Sequence, residues 1–230
     1  MQRHRLAMLI FLSFSIAFIY ACKSNKREII KTYSNGNPLV VFNFPDKNNK
    51  SQFGIEVFYP NGNIHRKLFV KNGYFVDSMI TYFEYKKVSQ VDSLANPCDT
   101  ITRACNANRT IYYENGKIAE RYVLKNGKYD GFSQHFDKNG ILVKEYSLIK
   151  DSIKDGQYKE YDKNGKLDFK GFFKNDTLVG LCYYFDSNGD TIKYYNNYRG
   201  VMSLPYKKWL NDGRTLTGNF ANEDKKSVIW

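Results

Sequence analysis

The chain has 230 residues, 42% hydrophobic and 17% aromatic, with 19 Tyr and 17 Phe but only five Pro. This is room for one repeat domain and a leader, it suits strands, and it excludes a Pro-rich linker protein. The net charge is +12, but the lysines are spread through turns such as Lys125, Lys138, Lys163 and Lys174. That spread reads as a solubilised, edge-protected β surface and not as a nucleic-acid-binding run.

At the start of the chain, Arg3 and Arg5 precede an apolar run from Leu6 to Ala21. A positive segment before an apolar one of this length reads as a signal peptide over residues 1–21, since a membrane-spanning helix needs about 20 apolar residues. The run closes on Ile19-Tyr20-Ala21-Cys22, which resembles the lipobox of bacterial lipoproteins. The resemblance implies that Cys22 is acylated and that residues 22–31 are a lipidated cysteine and its polar tether. Each buried CH₂ of the acyl chains contributes about 0.8 kcal/mol to anchoring. Such a protein is expected on a membrane of the cell envelope, outer membrane or periplasmic face.

Residues 32–85 read as degenerate N-terminal repeats. Leu39 to Phe44 and Phe53 to Tyr59 are strands, and Asn61-Gly62 is a hairpin turn. The alternate residues after Gly62 are Ile64, Arg66, Leu68 and Val70. Asn72-Gly73 is a second turn, and Tyr74 to Tyr85 is the returning strand. Gly62 to Gly116 is 54 residues, about six more than two periods of the regular repeat that follows. The excess is assigned to an irregular insertion, 86–109, with a short helix through Val88, Val91 and Leu94. Cys98 and Cys105 lie in it. In an oxidising compartment they are expected to pair, contributing about 2–3 kcal/mol, with two free thiols as the alternative. A zinc site is not expected, because His65 and His135 are not at ligand spacing.

From residue 110 to the C-terminus the chain is regular. Asn115-Gly116, Asn139-Gly140, Asn164-Gly165 and Asn188-Gly189 place their glycines 24, 25 and 24 residues apart. A fixed period in this range marks a repeat architecture. Asn-Gly between alternating segments is a hairpin signal, expected as a type I′ turn with both residues at positive φ. Every second residue after Gly116 is Ile118, Glu120, Tyr122 and Leu124, the two-residue period of a half-buried strand. A second turn follows, as at Asn126-Gly127, then a return strand beginning near Gly131, Gly156 or Gly180. Trp209 to Gly213 supplies one more turn, and 227–230 a closing strand or cap.

The units Tyr112-Tyr113-Glu114-Asn115-Gly116-Lys117, Asn126-Gly127-Lys128-Tyr129-Asp130-Gly131, Tyr161-Asp162-Lys163-Asn164-Gly165-Lys166 and Tyr184-Phe185-Asp186-Ser187-Asn188-Gly189 resemble the bacterial variant of the MORN repeat. The resemblance is close over roughly 107–200 and looser at 54–72 and 206–220. It implies an all-β, elongated antiparallel meander of tandem hairpins, about 24 residues each, with aromatics stacking from unit to unit. Some members of the family are antitoxin components of toxin systems, so it also admits an immunity role.

No catalytic constellation is legible. His65 and His135 fall in different units and read as exposed strand residues. Glu114, Asp137, Asp162 and Asp186 recur once per unit, as turn residues do. Cys182 reads as a small strand residue in the place of Ser133 and Tyr158. Asp-Ser/Thr-apolar triplets occur six times, at Ser78, Ser93, Thr100, Ser152, Thr177 and Thr191. They resemble the O-glycosylation sequon of exported Bacteroidetes proteins, but turn chemistry leading into a strand is the favoured reading. The chain is therefore expected to be a non-enzymatic, lipid-anchored scaffold or protein-binding module with no cofactor. A toxin-masking antitoxin, or a binder of glycan or lipid head groups, is the alternative.

Overall fold

Alternating apolar residues between tight turns produce strands throughout. The computed structural model describes residues 25–198, 201–210, 212–220 and 228–229, so the leader and Cys22 lie outside the described residues. The strands are β1 (Lys26–Thr32), β2 (Pro38–Phe44), β3 (Gln52–Phe58), β4 (Ile64–Lys71), β5 (Tyr74–Tyr82) and β6 (Val88–Leu94). Then come β7 (Cys98–Asp99), β8 (Ala107–Tyr112), β9 (Ile118–Lys125), β10 (Lys128–Phe136), β11 (Leu142–Ile149) and β12 (Ile153–Tyr161). The last are β13 (Leu167–Lys174), β14 (Thr177–Phe185), β15 (Thr191–Tyr198), β16 (Val201–Trp209), β17 (Thr215–Phe220) and β18 (Val228–Ile229). Each pairs antiparallel with the next, except that β6 pairs directly with β8. The short β7 lies beside the start of β5, with Cys98 opposite Phe75. Among the described residues no pairing joins β1 to the last strands, so the sheet is an open meander.

The two turns of a unit have different geometries, and the Asn-Gly turn is not type I′. The Gly116 N–H donates to the Tyr113 carbonyl (2.9 Å) and the Tyr113 N–H to the Lys117 carbonyl (2.8 Å). Gly116 has φ 84°, while Asn115 stays at negative φ. This is a three-residue hairpin loop, a type I turn closed by a left-handed glycine. The Asn115 side-chain oxygen accepts the Lys117 N–H (3.0 Å) and so braces the turn. Asp137, Asp162 and Asp186, two positions earlier in their turns, brace them likewise, each accepting two backbone N–H groups. The turns with two positive φ values are the second ones, Asn72-Gly73 (52° and 83°), Asn126-Gly127 (51° and 78°) and Asn175-Asp176 (48° and 60°).

A repeat without its glycine lies inside the stretch that reads as irregular. The Phe83 N–H donates to the Lys87 carbonyl (2.7 Å), Lys86 donates to the Phe83 carbonyl (3.0 Å), and Lys86 takes the glycine's conformation at φ 73°. Residues 88–94 are consequently strand β6, not a helix. The apolar spacing of Val88, Val91 and Leu94 fits either period. The turn at Lys86 and two open strand edges, on β5 and β8, decide for the strand. The six-residue excess is confined to the loop between β6 and β8, residues 95–106. There Cys98 and Cys105 form a disulfide with their Cα atoms 5.0 Å apart.

The core lies along one face of the sheet in two clusters. One gathers Val70, Phe75, Cys98 and Cys105, with Phe53, Leu68 and Leu94 against them. The other gathers Tyr158, Phe169, Cys182 and Tyr195. Each return strand carries a bulge at its fourth residue, at Gly131, Gly156 and Gly180, all with positive φ. Asp77 (φ 65°) fills that place in β5.

Candidate functional site

Directly opposed residues of antiparallel strands project from the same face. Arg109, Tyr122, Ser133, Tyr146 and Tyr158 oppose one another in turn across β8 to β12. Beside them run Glu120, His135, Lys144, Glu160, Phe169, Tyr184 and Lys193. The repeat period returns an aromatic to this face in every unit, and the rings touch. Ring centroids are 4.6 Å apart for Tyr129–Tyr122, 5.6 Å for Tyr122–His135, 5.3 Å for His135–Tyr146 and 5.9 Å for Tyr146–Tyr158. The ladder continues through Tyr158–Phe169 (6.1 Å), Phe169–Tyr184 (4.9 Å) and Tyr184–Tyr195 (6.0 Å). Such spacings are those of favourable aromatic pairs.

Polar groups are threaded through the ladder. Tyr122 donates to Glu120 (3.0 Å) and Tyr158 to Glu160 (2.5 Å). Glu120 lies 3.3 Å from His135 Nδ1, and His135 Nε2 is 2.7 Å from the Tyr146 hydroxyl. Burial, then the neighbouring carboxylates, push the Tyr122 and Tyr158 phenols well above their ordinary range. These phenols remain protonated donors, the opposite of an activated nucleophile. Burial also lowers the pKa of His135 against the pull of Glu120. Lysine ammonium groups cap the rings: Lys154 sits 5.7 Å from Tyr146 and 5.4 Å from Phe173, and Lys193 is 3.8 Å from Tyr184. The face therefore carries packed rings, fixed hydroxyls and cations in a repeating array, with Tyr158, Phe169 and Tyr195 themselves buried in the core.

Towards the N-terminus the same face turns apolar. Arg109 donates to Asp92 through Nε (2.7 Å) and Nη2 (3.0 Å), and to the Tyr129 hydroxyl through Nη1 (3.0 Å). Asp92, nearly buried, holds the Arg109 guanidinium more firmly protonated than usual. Beyond this pair a cleft of about 440 Å³ opens over Val40, Phe42, Ile55, Leu68 and Met79.

The residues singled out from the sequence scatter over the molecule. Asn61-Gly62, Asn115-Gly116, Asn139-Gly140, Asn164-Gly165 and Asn188-Gly189 line the turn edge, away from the aromatic face. Side chains on that edge reach the next unit, as where Asn115 donates to the Lys138 carbonyl (2.8 Å). Of the Asp-Ser/Thr positions, Ser93 and Ser152 are exposed, while Ser78, Thr177 and Thr191 are half-buried. Thr100 donates to the Gly73 carbonyl (2.8 Å). Neither histidine is an exposed strand residue: His65 stacks on Tyr59 (4.5 Å) and His135 is held in the ladder, both half-buried. Ser133 (1% exposed) and Cys182 (0%) are wholly buried, at the place that Tyr158 takes in its own unit. Sequence reasoning missed Asp92, Arg109 and Lys154, which carry no repeat signature. Among the described residues no three His, Cys, Asp or Glu side chains gather as a metal site.

Comparison with known proteins agrees with this geometry at the level of the unit. The family described as MORN repeat variant matches at residues 55–72, 106–126 and 154–175. Among curated proteins none matches the chain. Two solved structures align at low similarity: the Photorhabdus luminescens Tc holotoxin pore (9% identity, TM-score 0.21) and a TcdB2-TccC3-TEV crystal structure (10% identity, TM-score 0.20). The alignments cover 83% and 81% of this chain but only 14% of each of those, and TM-scores this low establish no common fold. Three matched units, spaced through one antiparallel meander whose turns and rings recur at the repeat period, make this a protein of MORN-variant repeats.

Proposed function

We propose that the chain is a lipid-anchored binding module of the cell envelope, which holds a protein partner against its aromatic and cationic face without chemistry of its own. The observation that supports this most is the ladder from Tyr129 to Tyr195, in which ring contacts run through every unit of β9 to β15. Tyrosine and cations on a rigid frame are the groups that dominate protein–protein hot spots. An extended repeat surface suits a macromolecule better than a small substrate. The rings stack on one another, and lysines cover several of them. A sugar platform needs bare faces, so the ladder favours a protein over a glycan.

Anchoring belongs to the same proposal. It rests on Ile19-Tyr20-Ala21-Cys22 after an apolar run, and it places the tether before β1 at the membrane. Crosslinked capture from native membranes, with mass spectrometry of bait and captured material, tests both parts. One dominant protein, and a bait whose Cys22 carries acyl mass, are the expected results. A bait without acyl mass refutes the anchor. Absence of any protein above background refutes the partner. If the captured protein is toxic when expressed alone, the partner is a toxin and the role is immunity.

A further inference from the structure

We infer that the cleft at the N-terminal end of the face is a separate binding site for a small amphipathic carboxylate, an aliphatic chain of medium length with one anionic head. Its size, about 440 Å³, falls in the range of small-molecule sites, roughly 300–1,000 Å³. Its floor is Phe42, Ile55, Leu68 and Met79, side chains that offer contact area and no hydrogen-bonding group. Met79 adds an adaptable thioether, which accommodates a flexible chain better than a rigid one. An inorganic anion would leave this floor unused.

The rim supplies the head group's partner. Arg66 and Arg103 both line the cleft, are exposed, and form no side-chain hydrogen bond or ion pair with a described residue. The one carboxylate of the cleft, Asp92, is already committed to Arg109 through two N–H···O bonds. Three arginines thus face one aspartate, and the excess positive charge is on the rim. A guanidinium fork matches a carboxylate in two parallel hydrogen bonds. Arg103 is not placed by the sheet. It stands in the disulfide loop at φ 54°, two residues before Cys105, whose carbonyl accepts the Gly127 N–H (2.8 Å). The disulfide therefore sets the second arginine above the floor.

The test titrates the full chain, in dodecyl maltoside, with decanoate carrying carbon-13 at its carboxyl, and follows that resonance against protein-free micelles. A saturable bound signal is expected from the wild type. Arg66→Gln/Arg103→Gln, two exposed changes that leave the core intact, should bind about tenfold or more weakly, the scale of lost hydrogen bonds to a charged group. Cys98→Ser/Cys105→Ser, assayed below its melting point, should also weaken binding, since the loop that carries Arg103 and closes the cleft at Cys105 loses its staple. Decyltrimethylammonium, with the same chain and the opposite charge, should not displace decanoate. No saturable signal above micelles overturns the inference, as does equal affinity in the arginine variant or displacement by the cation. Binding to phosphatidylglycerol vesicles without binding to decanoate also overturns it, and assigns the arginines to a membrane surface.

Discussion

The two ends of the sheet bury their one core face by different means. Over β2 to β8 the floor is aliphatic and phenylalanine-rich, and the 95–106 loop is stapled across it by Cys98–Cys105. Over β9 to β15 no loop among the described residues covers the face, and the rings pack on one another, with the Tyr122 and Tyr158 hydroxyls spent on Glu120 and Glu160. A single sheet has no second layer to complete its core. The N-terminal half brings its cover in the form of a loop, and the regular half makes side chains cover one another. The first solution breaks the repeat and creates a cleft. The second preserves the repeat and creates a surface.

Removing a rung should break the regular half most severely. Phe169→Ala deletes a ring 6% exposed, between Tyr158 and Tyr184, and should cost about 3 kcal/mol in denaturant unfolding. The corresponding break in the other half is the staple. Cys98→Ala/Cys105→Ala should cost about 2–3 kcal/mol, and hydrogen exchange should show the loss over β4 to β8 and not over β11 to β15. At the join between the halves, Asp92→Asn leaves Arg109 half-buried without its counter-charge and should cost about 2 kcal/mol, read from the urea midpoint.

Smaller effects sharpen the contrast within the repeats. At Gly131 (φ 136°) a Cβ would meet the Val123 Cβ at 2.9 Å, whereas at Gly180 (φ 71°) nothing lies within 4 Å. Gly131→Ala should therefore destabilise by about 2 kcal/mol and Gly180→Ala by about 1 kcal/mol, from backbone strain alone. The smallest effect is on pH dependence. Burial holds the folded-state pKa of His135 below its ordinary value. The unfolded chain then binds more protons, so this contribution is complete above about pH 6.5 and is lost as pH falls below it. The slope of stability against pH just below about 6.5 should flatten in His135→Gln.

The fold was largely legible in the sequence because turn chemistry is local. Asn-Gly at a 24-residue period locates hairpins without any knowledge of packing, and alternation after each Gly assigns the faces. The hidden unit at Lys86 was not legible, because a lysine can be forced into the left-handed region only by the strands on either side. With the turn unseen, Val88, Val91 and Leu94 fitted a helical period as well as a strand. The turn type was misjudged for a related reason: Asn-Gly fits both I′ and the glycine-closed type I turn, and loop length decides between them. The aromatic face was half legible, since Tyr122 and Tyr146 recur in phase. The Asp92–Arg109 pair, the lysine caps and the cleft were not, since they depend on which strands pair and in what register, as where β6 meets β8 across the disulfide loop.

The most direct measurement of the binding face is crosslinked capture from native membranes by three proteins: the wild type, Lys154→Glu and Lys170→Glu. Lys154 caps Tyr146 and Phe173 on the ladder, while Lys170 lies over Tyr183 and Phe185 on the opposite side of the sheet. If the ladder holds the partner, Lys154→Glu loses the captured protein and Lys170→Glu keeps it. Equal capture by all three, or loss only in Lys170→Glu, would contradict the assignment of the face.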